Sequence, residues 1–166
     1  MQLATVSTLL APALSLARTM DSRALSFYHT HTGKELDVTY RVASWYDPKA
    51  LKKINYHLRD FRTKEVHPID PHLLDILYRV NELAGGGVFE VISGYRSPET
   101  NTLLRGKSGG VAKRSLHMKG QAIDVRLAGV KTGELRDIAR SLQRGGVGYY
   151  PKSGFVHIDT GRVRFW

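Results

Sequence analysis

Two short stretches constrain this chain more than any other: QAIDVRL at 121–127 and FVHID at 155–159. In each, apolar and ionisable residues alternate, the period of a strand with one buried face and one accessible face. Ile123 and Val125 fall on one face of the first stretch, Asp124 and Arg126 on the other. In the second, His157 sits between Val156 and Ile158 and shares its face with Phe155 and Asp159. If the two strands are neighbours, a carboxylate and an imidazole look into one cleft. His117, in SLHMKG just upstream, can join them through a loop that Gly120 allows to turn.

Two histidines and an aspartate meet the needs of a catalytic zinc site, which takes three protein ligands at about 2 Å and keeps one position open. The chain has no cysteine, so disulfides, thiol nucleophiles and thiolate metal sites are excluded, and a metal must use His, Asp or Glu. Taken singly, each residue has an ordinary explanation: a solvated loop histidine, a strand-end charge, a half-buried histidine bonded to a carbonyl. His29 and His31 in YHTHTG form a second pair at strand spacing, but no third ligand stands near them in the sequence. Ser115 has no histidine–acid pair to activate it and reads as a residue that holds the loop.

Lys and Arg number 25 against 15 Asp and Glu, a formal charge of +10 that favours an anionic partner such as a nucleic acid, a membrane surface or a wall polymer. The basic residues are dispersed, and neither a finger, an RNP-like motif nor a basic heptad helix is present, which argues against nucleic acid.

The length of 166 residues suits one domain. Residues 24–43 alternate around Thr32-Gly33-Lys34 and predict a hairpin; Asp47-Pro48 and Asp70-Pro71 each open a capped helix. VFEVIS at 88–93 predicts a strand, Pro98 opens another helix, and KTGELRDIARSLQRGG predicts an amphipathic one. Short strands follow to the end. The order of elements predicts an α+β fold with a small, mostly antiparallel sheet flanked by helices. Residues 1–23, with Leu9, Leu10, Leu14 and Leu16 as a short apolar run and Ser15-Leu16-Ala17 as a small-x-small pattern before Arg18, predict a signal-like or linker segment ahead of a domain at 24–166. That run carries no Lys or Arg in its first residues and is too short and interrupted to span a bilayer.

SLHMKGQAIDV resembles the Ser-x-His-x6-Asp motif of the M15 zinc peptidases, the D-alanyl-D-alanine carboxypeptidase and dipeptidase group. SGYRS upstream and GGVGYYPKSGFVHIDTGRVRFW downstream resemble a branch of that family that includes murein endopeptidases, and the likeness runs from about Leu25 to Trp166. The resemblance implies a hedgehog/D-Ala-D-Ala peptidase fold, Zn2+ held by His117, Asp124 and His157, and Arg96 near the substrate carbonyl. It further implies a periplasmic enzyme that cuts peptidoglycan cross-links, expected as a monomer. One departure stands out. Many M15 enzymes carry a glutamate base three residues before the last zinc histidine, and others a histidine two residues before it. Here those positions hold Gly154 and Phe155. Asp159 is the nearest carboxylate to take a catalytic part, with orientation of a ligand histidine as its other reading. Tyr149 and Tyr150 are the expected substrate-binding aromatics. The missing glutamate also admits a second reading: a wall-binding module that keeps the site without cutting.

Overall fold

A hairpin begins the sheet. In the computed structural model, which describes residues 21–107 and 110–166, β1 (Ser22–His29) pairs antiparallel with β2 (Lys34–Val42), and β3 (Trp45–Tyr46) adds to β2. The expected signal-like run therefore lies almost wholly outside the described residues. Of the His29/His31 pair, only His29 is in the strand, 1 % exposed, while His31 lies in the turn, stacked on Phe61 at 4.1 Å.

α1 (Pro48–His57) and α2 (Pro71–Leu83) start by the same device. Asp47 accepts from the Lys49 amide and Asp70 from the His72 amide, each ahead of a proline whose missing N–H is no loss in a first turn. α2 turns Leu73, Leu74 and Leu77 fully inward, and burial of each contributes about 1.5–3 kcal/mol. The chain continues through β4 (Phe89–Ser93), α3 (Pro98–Lys107), a 3-10 turn at Leu116–Lys119, β5 (Ala122–Leu127) and α4 (Thr132–Ser141). β6 (Gly146–Tyr150), β7 (Phe155–Asp159) and β8 (Arg164–Phe165) complete it.

The fold is α+β, and its sheet is mixed, with eight strands in the order β3-β2-β1-β4-β5-β7-β6-β8. This corrects the expectation of a small, mostly antiparallel sheet. β1 runs parallel to β4, because α1 and α2 supply the long crossover that parallel neighbours need. β8 runs parallel to β6, because the chain leaving β7 passes the end of β6 and pairs on its far side.

One face of β5, β7 and β6 carries Ile123, Val125, Val156, Ile158 and Val147 into the same core as Leu74, Leu77 and Leu135. Strand alternation sends Asp124, His157 and Asp159 to the other face. The apolar face thus anchors the strands that aim the polar one.

Candidate metal centre

β5 and β7 are antiparallel neighbours, and their register sets Asp124 directly opposite His157. His117 arrives from the 3-10 turn. Ser115 caps that turn, its hydroxyl accepting from the His117 amide, and Gly120 ends it in the left-handed conformation at φ 64°. A Cβ at Gly120 would lie 2.0 Å from the Pro68 carbonyl oxygen, so only glycine lets the turn close against that connector. His117 and Asp124 are buried and His157 nearly so, and one donor atom from each lies within 4.8 Å of the others.

The outer hydrogen bonds fix which atoms face the centre. His117 Nδ1 is 2.7 Å from the Gly94 carbonyl, which can only accept, so this nitrogen carries the proton and Nε2 presents a lone pair. His157 Nε2 is 2.9 Å from Asp159 Oδ2 and donates to it, leaving Nδ1 as the inward lone pair. His117 Nε2 and His157 Nδ1 stand 3.2 Å apart, and Asp124 Oδ1 is 3.2 Å from the first and 2.8 Å from the second. Three acceptors at such separations repel one another unless a cation lies among them. Ligands about 2.0–2.1 Å from a tetrahedral ion sit about 3.3 Å from each other, so these residues fit a zinc-like ion.

The electrostatics agree. Burial pushes the His117 imidazole down and keeps it neutral, as a metal ligand must be. Burial opposes charge on Asp124, but His117 and His157 outweigh it and hold its carboxyl far below the usual carboxylate range. Burial likewise opposes charge on His157, and its bonds to Asp124 and Asp159 outweigh that too, raising it. A proton and a metal ion therefore compete for the same inward nitrogen.

Residues 17–166 match the family described as peptidoglycan L,D-endopeptidase MepK. The protein named "Probable peptidoglycan L,D-endopeptidase MepK" from Haemophilus influenzae is 44% identical over 163 residues, covering 97% of this chain and 88% of that protein. The peptidoglycan L,D-endopeptidase MepK of Escherichia coli K12 is 44% identical over 156 residues, covering 93% and 86%. The chain belongs to the MepK family of M15 peptidases. No solved structure matches it.

In this MepK-family fold the centre lies in a cleft of about 480 Å³. Arg96 lines it, donating from Nε to Ser93 Oγ at 2.8 Å and from Nη2 to Asp124 Oδ2. Its guanidinium therefore holds the oxygen of Asp124 that the histidines leave free. Asp159 does not reach the cleft, contrary to the expectation of a direct catalytic part. It lies fully buried behind the His157 ring and also accepts from the Gly146 and Gly161 amides and from Arg164. Burial opposes its charge, but the bond from His157, then those from Arg164 and the two amides, hold its carboxyl well below the usual range and occupy both oxygens. Such a group orients an imidazole and is not free to take a proton from water.

The two tyrosines separate. Tyr150 lines the cleft and stacks on Phe155 at 4.7 Å. Tyr149, one residue earlier in β6, points to the helix side, where it packs on the core with Arg136 of α4 over its ring. It is not a cleft residue. Gly154 sits in the β6–β7 turn at φ 66°, its carbonyl accepting from Arg126 Nε at 2.6 Å. Among the described residues lining the cleft, Asp124 is the one side-chain carboxylate.

Sequence reasoning missed Arg164 and Trp166, which fold over the cleft face from β8. A Cβ at Gly146 would lie 2.5 Å from Arg164 Nη1, and one at Gly148 would lie 2.6 Å from the Trp166 ring. Trp166 then stands 5.3 Å from His157, ring to ring, and donates from Nε1 to Tyr150 Oη at 2.9 Å. The clue was present in GVG: alternate glycines on one strand face mark a surface that something else covers.

Proposed function

We propose that this protein is a zinc-dependent peptidoglycan endopeptidase of the L,D type, with His117, Asp124 and His157 as the metal ligands. The observation that carries this is the convergence of two imidazole lone pairs and a carboxylate oxygen, each oriented by an outer partner. Family membership and the names of the relatives supply the substrate class. When bound, zinc supplies Lewis acidity toward the scissile carbonyl and lowers the pKa of the attacking water to about 7.

The chain's own residues do the positioning. Asp159 keeps the His157 proton on Nε2, and Gly94 keeps that of His117 on Nδ1. Arg96 locks Asp124 and offers its remaining N–H groups to charge developing on the carbonyl oxygen. Tyr150 and Trp166 form a wall against which a peptide lies. With no unengaged side-chain carboxylate among the described lining residues, the acidity of the water matters more here than in enzymes with a glutamate base. The hedgehog/D-Ala-D-Ala peptidase fold, export to the periplasm, residues 1–23 as an export or linker segment ahead of the 24–166 domain, and action as a monomer belong to the same reading. No helix among the described residues is long and apolar enough to cross a membrane. The charge of +10 draws the protein to the acidic groups of the wall.

Digestion of purified sacculi by zinc-loaded protein tests this. The expected result is conversion of cross-linked muropeptide dimers to monomers, abolished by chelator and restored by zinc. Binding to sacculi with an unchanged muropeptide profile, from protein that holds one zinc, would replace the enzyme with a wall-binding module.

A further inference from the structure

The cleft has more cationic groups than its own chemistry occupies. The described residues lining it include three arginines, Arg96, Arg114 and Arg164, against one side-chain carboxylate, that of Asp124. Arg96 is bonded to Asp124, and Arg164 to Asp159 behind the wall. Arg114 differs. It is exposed, it immediately precedes the Ser115 cap of the His117 turn, and it has no hydrogen-bond or ion-pair partner among the described residues. Its backbone is thus tied to a metal-ligand turn while its fork of donors is free. An unpaired arginine among the residues lining a cleft offers a guanidinium that can bind a carboxylate through two parallel N–H···O bonds.

The endopeptidase reading, on which this inference rests, supplies such a carboxylate. An L,D bond joins a carbonyl on an L-centre to an amine on a D-centre. The carbon bearing that amine carries its own carboxyl group, whose carbon is two bonds from the scissile nitrogen. In a linear peptide the next peptide bond consumes that carboxyl group. Where the amine is instead the side-chain amine of a diamino residue, as a cross-link between two chains allows, that carboxyl group stays free and ionised, and no other carboxylate is bound to lie so near the bond.

We propose that Arg114 anchors the free carboxylate on the amine side of the scissile bond and so selects cross-links whose acceptor residue is not amidated. Arg96 and Arg164 cannot substitute for it, because moving either would release Asp124 or Asp159 from its place at the centre.

The test uses two cross-linked L,D peptides that differ only in a free carboxylate or a carboxamide at that position. Zinc-loaded wild type is expected to prefer the carboxylate by about tenfold in kcat/KM, chiefly through KM, the size of a charge-assisted pair. R114A is expected to lose that preference while cutting the carboxamide as wild type does. R114K keeps the charge without the fork and falls between. Equal preference in wild type and R114A overturns the anchor, as does an R114A defect of the same size on both peptides, which would mark a structural role. Affinity for the two amine-side product fragments, measured by NMR titration of the same zinc-loaded proteins, separates this inference from the endopeptidase reading. If neither peptide is cut, a preference for the carboxylate fragment that R114A removes still upholds the anchor, and equal affinities overturn it.

Discussion

Acid is expected to destabilise this protein through His29 before any carboxylate titrates. His29 ends β1 inside the core, 1 % exposed, and its Nε2 has no hydrogen-bond partner among the described residues. Its ring is surrounded by those of His57, His31 and Phe61. Burial, then His57, His31 and Arg59, lower its pKa from 6.5 to about 4. The folded protein therefore refuses a proton that the unfolded chain accepts. Above pH 6.5 both states are neutral and nothing is lost. As pH falls from 6.5 toward 4 the unfolded state alone gains the proton, and stability drops. A shift of that size corresponds to about 3 kcal/mol, at 1.36 kcal/mol per unit. His57, also lowered by burial, adds in the same direction. Burial opposes charge on Asp60 and Asp75, but bonds from Thr100, Ser97 and Arg62 hold Asp60 at about 2, and Tyr46, Tyr40 and Arg23 lower Asp75, so both act at lower pH. Urea unfolding of wild type and His29→Phe at pH 7 and 4.5 reads the effect. The variant should lose about 2 kcal/mol less than wild type across that interval. The comparison between variants cancels the contributions of the metal-centre histidines. Parallel losses in the two proteins would refute the reasoning and show that His29 accepts its proton without cost in the fold.

Two further outcomes are expected. Asp159→Asn leaves a neutral amide behind His157, and zinc affinity measured by competition with a chromophoric chelator should fall by about 10–100-fold with the fold intact; unchanged affinity would show that Asp159 does not orient the ring. Gly148→Ala places a methyl group 2.6 Å from the Trp166 ring. In a Trp45→Phe background, emission from Trp166 should shift to the red and kcat/KM on cross-linked peptide should drop, whereas unchanged emission and turnover would mean that the indole does not form the cleft wall.

Much of this protein is legible along the chain, wherever the determinant is local. Asp47-Pro48 and Asp70-Pro71 mark two helix starts because a side-chain acceptor and a preset φ act within one turn. Alternation in 121–127 and 155–159 puts Asp124 and His157 opposite the apolar faces that bury their strands, since a strand's side chains take a period of two whatever surrounds them. The absence of cysteine restricts any metal to imidazole and carboxylate before a fold is drawn. Tertiary structure decided the rest. Only the register of β7 between β5 and β6 sets Asp124 against His157 and separates Tyr150 in the cleft from Tyr149 under α4. Shared alternation put Asp159 beside His157, but its place behind the ring depends on Gly146, Gly161 and Arg164, which come together when β8 crosses to the far side of β6. The parallel pairing of β1 with β4 likewise depends on two helices burying apolar faces, Ala50 and Ile54 of α1 and Leu73, Leu74 and Leu77 of α2. Periodicity is a property of backbone angles and repeats in every strand. Which strand lies beside which is settled by apolar faces burying one another across many residues, and no local pattern records that choice.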